Sequence, residues 1–99
     1  MRRKYRLTQR AKKDFTDIGR YTKDNWGKAK RNDYLNKMAL RFAFLTSNPR
    51  LGKLRNDIAP NVYCFPEGQH LIFYTIQAAE IRIVGIPHRN MDISKFFNS

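Results

Sequence analysis

The chain is short of acid, of cysteine and of uninterrupted apolar length, and each shortage excludes something. Eight Asp and Glu stand against twenty Lys and Arg, a formal net charge of +12 over 99 residues. Such an imbalance implies an anionic partner, either nucleic acid or an acidic protein. The lone cysteine, Cys64, excludes an internal disulfide and fits a reducing cytoplasm; within an apolar stretch it reads as a buried, inert thiol. One Cys and two His, His70 and His88, are too few for a structural zinc site, so neither metal nor cofactor is expected. No apolar run approaches the roughly 18 residues of a membrane span. The basic start has no apolar segment behind it, so a secretory signal is not expected either. Gly27, Gly52, Gly68 and Gly85 are isolated and build no phosphate-binding loop. No serine-centred elbow or Cys–His nucleophile pair stands out. Repeats, low-complexity segments and linkers are also missing, so residues 1–99 read as a single domain able to bury about two thirds of its unfolded surface.

What is present is strand-forming character, concentrated between Asn61 and Asp92. The runs Val62–Phe65, Leu71–Ile76 and Ile81–Ile86 are rich in Val, Ile, Tyr and Phe and have strand length. Their short separations suit hairpins and not parallel crossovers, which predicts a three-stranded antiparallel meander. Leu71, Phe73 and Thr75 point to one face of the central run, and His70, Ile72, Tyr74 and Ile76 to the other. Both sets are largely apolar, so both faces need cover. Two upstream helices supply part of it, and a partner protein is expected to supply the remainder.

Ahead of these runs, Lys4–Leu7 reads as a short strand and Thr8 as the cap of a helix. Ala11, Phe15, Ile18 and Tyr21 or Thr22 recur at helical spacing, with Trp26 a turn further on and Gly27 as the break. A second helix over about Lys28–Thr46 carries the stripe Leu35, Met38, Phe42 and Leu45. Asn48-Pro49 stops it. The short Gly27 connection makes an antiparallel helical hairpin sized to cover one face of the meander. Residues Pro49–Asn61 read as a loop pinned by Leu51, Leu54 and Ile58, and Ile93–Phe97 as a short last turn. The fold class is therefore α+β, in the order β-α-α-β-β-β.

Charge is unevenly spread. Twelve of the twenty bases lie at or before Arg31 against three acids, Asp14, Asp17 and Asp24, whereas Val62–Ile86 holds only Arg82, Glu67 and Glu80. The one serious catalytic candidate is an RNA-cleaving site, which needs a base, an acid and cations on the phosphate. His88, with Arg82, Arg89, Arg55 and Tyr74, has the residue types. The competing reading is that His88 caps the strand end and bonds to loop backbone. Tyr63, Phe65, Phe73 and Tyr74 have the chemistry to stack on bases, but at strand spacing they also read as core.

Three separated stretches carry a resemblance: YTKDNWG (21–27), NPRLGKLRNDIAPNVYCFPEGQHLIFYTI (48–76) and VGIPHRNMDI (84–93). Trp-Gly at the end of the first helix, Asn-Pro-Arg-Leu-Gly, an Arg-x-Asp-Ile loop, an Ile-Phe-Tyr strand and a terminal His with Met-Asp follow the order of the ParE branch of the RelE/ParE toxin superfamily. The arginine that such chains carry after the terminal histidine is displaced here, in His88-Arg89-Asn90-Met91-Asp92. The resemblance implies a strand, a helical hairpin and a twisted antiparallel sheet. It also implies the cytoplasmic toxin of a type II toxin–antitoxin system, neutralised by a cognate acidic antitoxin and directed at DNA gyrase by binding, without bond chemistry. DNA is then met only through the target or the antitoxin complex. On this reading Arg55, Tyr63, Tyr74, Arg82, His88 and Arg89 are the candidate antitoxin- or target-binding residues. The alternative is a ribosome-dependent mRNA endonuclease of the RelE type, with His88 as the catalytic group and Arg82 and Arg89 beside it.

Overall fold

The computed structural model describes residues 4–98. Its elements are β1 (Lys4–Leu7), α1 (Gln9–Trp26), α2 (Lys28–Ser47), a 3-10 turn at Pro49–Leu51, β2 (Lys53–Leu54), β3 (Tyr63–Glu67), β4 (His70–Ile76), β5 (Glu80–Gly85) and α3 (Ile93–Asn98). The expected order of strand, helical hairpin and antiparallel meander is observed, with β2 and α3 added. The five strands form one sheet in the order β1-β5-β4-β3-β2. β1 pairs with β5 in parallel, from Lys4 opposite Glu80 to Leu7 opposite Ile83. All other pairings are antiparallel. The parallel pair is possible because the whole helical hairpin lies in the connection after β1.

Local chemistry explains the hairpin. The Thr8 hydroxyl accepts the Ala11 amide at 3.2 Å, closing one of the orphan donors at the start of α1. Gly27, at φ 91°, takes a backbone conformation that side-chain-bearing residues avoid and turns the chain into α2. The predicted stripes then meet the sheet: Ala11 and Ile18 of α1 and Met38, Phe42 and Leu45 of α2 pack on Ile72, Tyr74, Ile81 and Ile83. Phe15 and Leu35, expected to be buried, are partly so and pack against the same cluster. Tyr5 lies in β1 as expected, with its ring centroid 5.5 Å from that of Phe42. Of the two alternatives on α1, Thr22 is the inward residue and Tyr21 the exposed one.

The expectation about the second face is corrected. Val62, Cys64 and Phe73 form a separate cluster, covered by Ile58 and Ala59 from the loop and by Leu71, Val84, Ile93 and Phe97. The Phe97 ring meets Phe73 edge-on at 5.0 Å. The chain thus closes this face itself, and no partner is needed to supply the cover. A bulge assists: Phe73 pairs with Gly85 and Tyr74 with Ile83, so Val84 is the extra residue and turns into this cluster.

Tyr74 joins the two halves of the design. Its ring is fully buried, and its hydroxyl donates to the Pro49 carbonyl at 2.7 Å and accepts the Gly52 amide at 3.0 Å. Burial pushes its pKa up to about 12. A Cβ at Gly52 would collide with that hydroxyl, so the 50–54 segment can hug the sheet only with glycine there.

Phe42 is the largest fully buried side chain of the helical cover, 2% exposed, with the rings of Tyr5 and Phe15 beside it. Phe42→Ala should lower the unfolding free energy by about 3–5 kcal/mol, measured by denaturant titration. A loss below about 1 kcal/mol would contradict the core assignment.

Candidate functional site

Between α1, the first turns of α2 and residues 86–91 lies a groove of about 660 Å³. Ile18, Ile86, Pro87 and Phe96 give it an apolar floor, and Tyr21, Trp26 and Met91 stand around it. Those last three are 61%, 62% and 47% exposed, and because they border one groove they form a patch and are not singly scattered.

One wall is a ring cluster tied together by hydrogen bonds. The Tyr34 hydroxyl lies 2.7 Å from His70 Nδ1 and accepts the Gln69 amide at 2.9 Å. This locks the β3–β4 turn onto α2, where Gly68, at φ 59°, lets the Tyr34 ring lie against the backbone. His70 and His88 form an isolated antiparallel bridge, with Leu71 donating to the Pro87 carbonyl and Arg89 to the Gln69 carbonyl, both at 2.9 Å. Their rings meet edge-on at 5.4 Å. His88 Nδ1 accepts the Asn90 amide at 3.2 Å, so the backbone-capping reading of His88 is the observed one. The opposite wall is acidic but engaged: Asp14 accepts the Ile86 amide at 2.9 Å and Asp17 pairs with Lys13 at 2.8 Å.

The six residues expected to bind a partner do not form one site. His88 lines the groove and Arg89 follows it, exposed; burial raises the Tyr34 pKa, and the positive charge of Arg89 offsets only a little of that rise. Tyr74 is buried in the core and has no surface to offer, a correction that follows from the apolar packing on both sides of β4. Tyr63 stacks on Tyr74 at 5.6 Å and accepts a hydrogen bond from Arg50. Arg55 is clamped by Asp57 at 2.9 Å, at the β2 side. Arg82 alternates with the inward Ile81 and Ile83, so it lies on the sheet face away from the helices, 3.4 Å from Glu80, which Arg6 shares. The RNA-cleaving set of His88, Arg82 and Arg89 is therefore not assembled. Tyr21, Trp26, Tyr34 and His70 are the groove residues that sequence reasoning missed. Among the described residues no group of three or more His, Cys, Asp or Glu is placed to hold a metal ion, and no helix is long and apolar enough to cross a membrane.

Burial, and then the neighbouring His88, lower the His70 pKa from about 6.5 to about 4. With the folded value below the unfolded one, the folded protein binds fewer protons between those limits. The stabilisation is complete above pH 6.5 and is lost as pH falls toward 4. Because the ring keeps some solvent contact, its share between pH 7 and pH 5 is about 1 kcal/mol after screening. Urea unfolding of wild type and His70→Gln at both pH values should show the smaller acid loss in the variant. Parallel pH dependences would contradict this assignment.

Comparison with known proteins agrees with this architecture. A family model described as the ParE toxin of the type II toxin–antitoxin system parDE matches residues 5–93. A protein named Toxin ParE1 from Caulobacter vibrioides is 26% identical over 88 residues, covering 89% of this chain and 91% of its own. Another Toxin ParE1, from Mycobacterium tuberculosis, is 27% identical over 96 residues, covering 96% and 98%. A solved structure titled as the chromosomal ParDE TA system from P. aeruginosa superposes with a TM-score of 0.74 over 87% of this chain and 95% of that one, at 17% identity, and so shares the fold. With a family model spanning β1 to α3 and relatives matched nearly end to end, the chain belongs to the ParE toxin family of type II toxin–antitoxin systems.

Proposed function

We propose that this toxin acts by binding DNA gyrase and holding it on cleaved DNA, and that an acidic antitoxin neutralises it by seating an apolar segment in the groove between the helical hairpin and residues 86–91. The observation that carries the proposal is the groove itself: an apolar floor with exposed Tyr21, Trp26 and Met91, on a chain of net charge +12. A segment with apolar anchors and acidic flanks complements it, because charge steers the encounter and buried apolar contacts set the lifetime. His88 and Arg89 stand beside the groove, where such a segment would cover them.

A binding mode of action also accounts for how the polar groups are used. His88 holds the Asn90 amide, His70 is tied to Tyr34, and Arg82 is paired on the far face. Acid–base cleavage of RNA needs a base and an acid on either side of one phosphate with a cation on it, and these residues are not arranged so. The toxin would work in the cytoplasm, where its target is.

Purified toxin added to gyrase, relaxed closed-circular DNA and ATP should accumulate linear, protein-linked DNA, and the cognate antitoxin should abolish that product. Unchanged gyrase products, together with codon-dependent mRNA cleavage on ribosomes that disappears in His88→Ala, would replace this reading with the RelE-type one.

A further inference from the structure

At the end of the helical hairpin, Tyr21 and Trp26 are 61% and 62% exposed and touch edge-to-face with centroids 5.8 Å apart. An edge-to-face pair leaves ring faces open. Neither ring belongs to the core, since α1 turns Ala11, Ile18 and Thr22 inward. Around them, residues 20–31 carry Arg20, Lys23, Lys28, Lys30 and Arg31 against one carboxylate, Asp24. Among the described residues none of Arg20, Lys23, Lys28 and Lys30 has a carboxylate within ion-pair distance, whereas the neighbouring Asp17 is held by Lys13.

Lys23, in the last turn of α1, favours its helix dipole, but the rest of the arrangement works against folding. Lys28, Lys30 and Arg31 stand in the first turn of α2 with no acid beside them, at the positive end of the helix dipole, where cations are unfavourable. Two exposed aromatic rings likewise forgo burial that each could have contributed to stability. Aromatic faces interleaved with unpaired cations are the chemistry of single-strand binding, in which bases stack and phosphates are neutralised.

We propose that the hairpin end binds single-stranded nucleic acid directly, with bases stacked on Trp26 and Tyr21 and the backbone held by Lys23, Lys28 and Lys30. A duplex fits less well because its base faces are already stacked. An acidic peptide would seat its apolar side over Ile18, Ile86 and Pro87, in the trough whose rim Tyr21, Trp26 and Lys30 also line, but it brings no succession of flat rings to stack on the two aromatic faces. The contact goes beyond the antitoxin and gyrase reading and is not relayed through a partner protein.

Trp26 is the one tryptophan of the chain, so its emission reports on the site without a label. Titration of the toxin alone with an oligothymidylate of about 12 nucleotides, within the site sizes typical of single-strand binders, should quench that emission. Affinity should fall with salt with a logarithmic slope near −2, as expected for about three phosphates on a single strand. Anisotropy of a labelled oligonucleotide then tests variants, each checked for an unchanged melting temperature, which the exposure of these side chains favours. Trp26→Ala should weaken binding about 5- to 100-fold. Trp26→Phe should stay within about threefold of wild type, and the double variant Lys28→Glu, Lys30→Glu should flatten the salt slope. Unquenched emission at saturation, Trp26→Ala binding like wild type, or Trp26→Phe as weak as Trp26→Ala would overturn the proposal. So would duplex DNA or polyglutamate binding as tightly as the oligothymidylate. Because neither antitoxin nor gyrase is present, failure here leaves the function proposed above untouched.

Discussion

Everything in this domain follows from one strand with two apolar faces. β4 presents Ile72, Tyr74 and Ile76 to the helices and Leu71 and Phe73 to the other side, and neither face can be left in water in so small a protein. The hairpin covers the first. The second is covered by material of low strand or helix character, the 58–59 loop and the six-residue α3. The Arg10 guanidinium lies 3.8 Å over the Phe96 ring and donates to the Phe96 carbonyl, tying α3 back to the start of α1. Tyr74 adds the third tie, because its hydroxyl satisfies backbone groups of Pro49 and Gly52 that would otherwise be buried unpaired.

The groove is the remainder of this solution. α1 from Asp14 to Trp26 and the first turns of α2 form one side of it, and residues 86–91 close the opposite side. His88, the one acid–base group that a first reading assigns to chemistry, helps to fasten this rim: Tyr34 is tied to His70, His70 to His88 through the backbone, and His88 to Asn90. The large side chains left exposed around it, Tyr21, Trp26 and Met91, are apolar.

Much of this was legible in the sequence. The periodicities of 2 and 3.6 placed β1, both helices and the meander, and Thr8 and Gly27 marked the ends of α1. β2 was not visible, because two residues inside a charged loop have no period to detect; only pairing with Cys64 and Tyr63 defines them. The parallel pairing of β1 is a tertiary choice that a four-residue strand cannot encode by itself. For the site, alternation along β5 already separated Arg82 from the helix face, and that signal went unused. Trp26 was read as one more turn of the apolar stripe, yet at the last residue of α1 it has passed the edge of the core. His70 and Tyr34 lie 36 residues apart in the chain, and nothing short of the folded turn brings them together.

The central claim is that the chain covers its own second face, with Val62, Cys64 and Phe73 closed in by its own loop and α3. Cys64 reports on this directly, being the sole cysteine and lying on that face in the cluster with Val62 and Phe73, its thiol pKa raised by burial. Reaction with a thiol-specific disulfide reagent should proceed no faster than global unfolding in the free toxin, and bound antitoxin should protect Cys64 only by slowing that unfolding. Labelling of the native free toxin at the rate of an accessible thiol, abolished when antitoxin binds, would show that the second face is open and is the antitoxin's seat, contradicting the account.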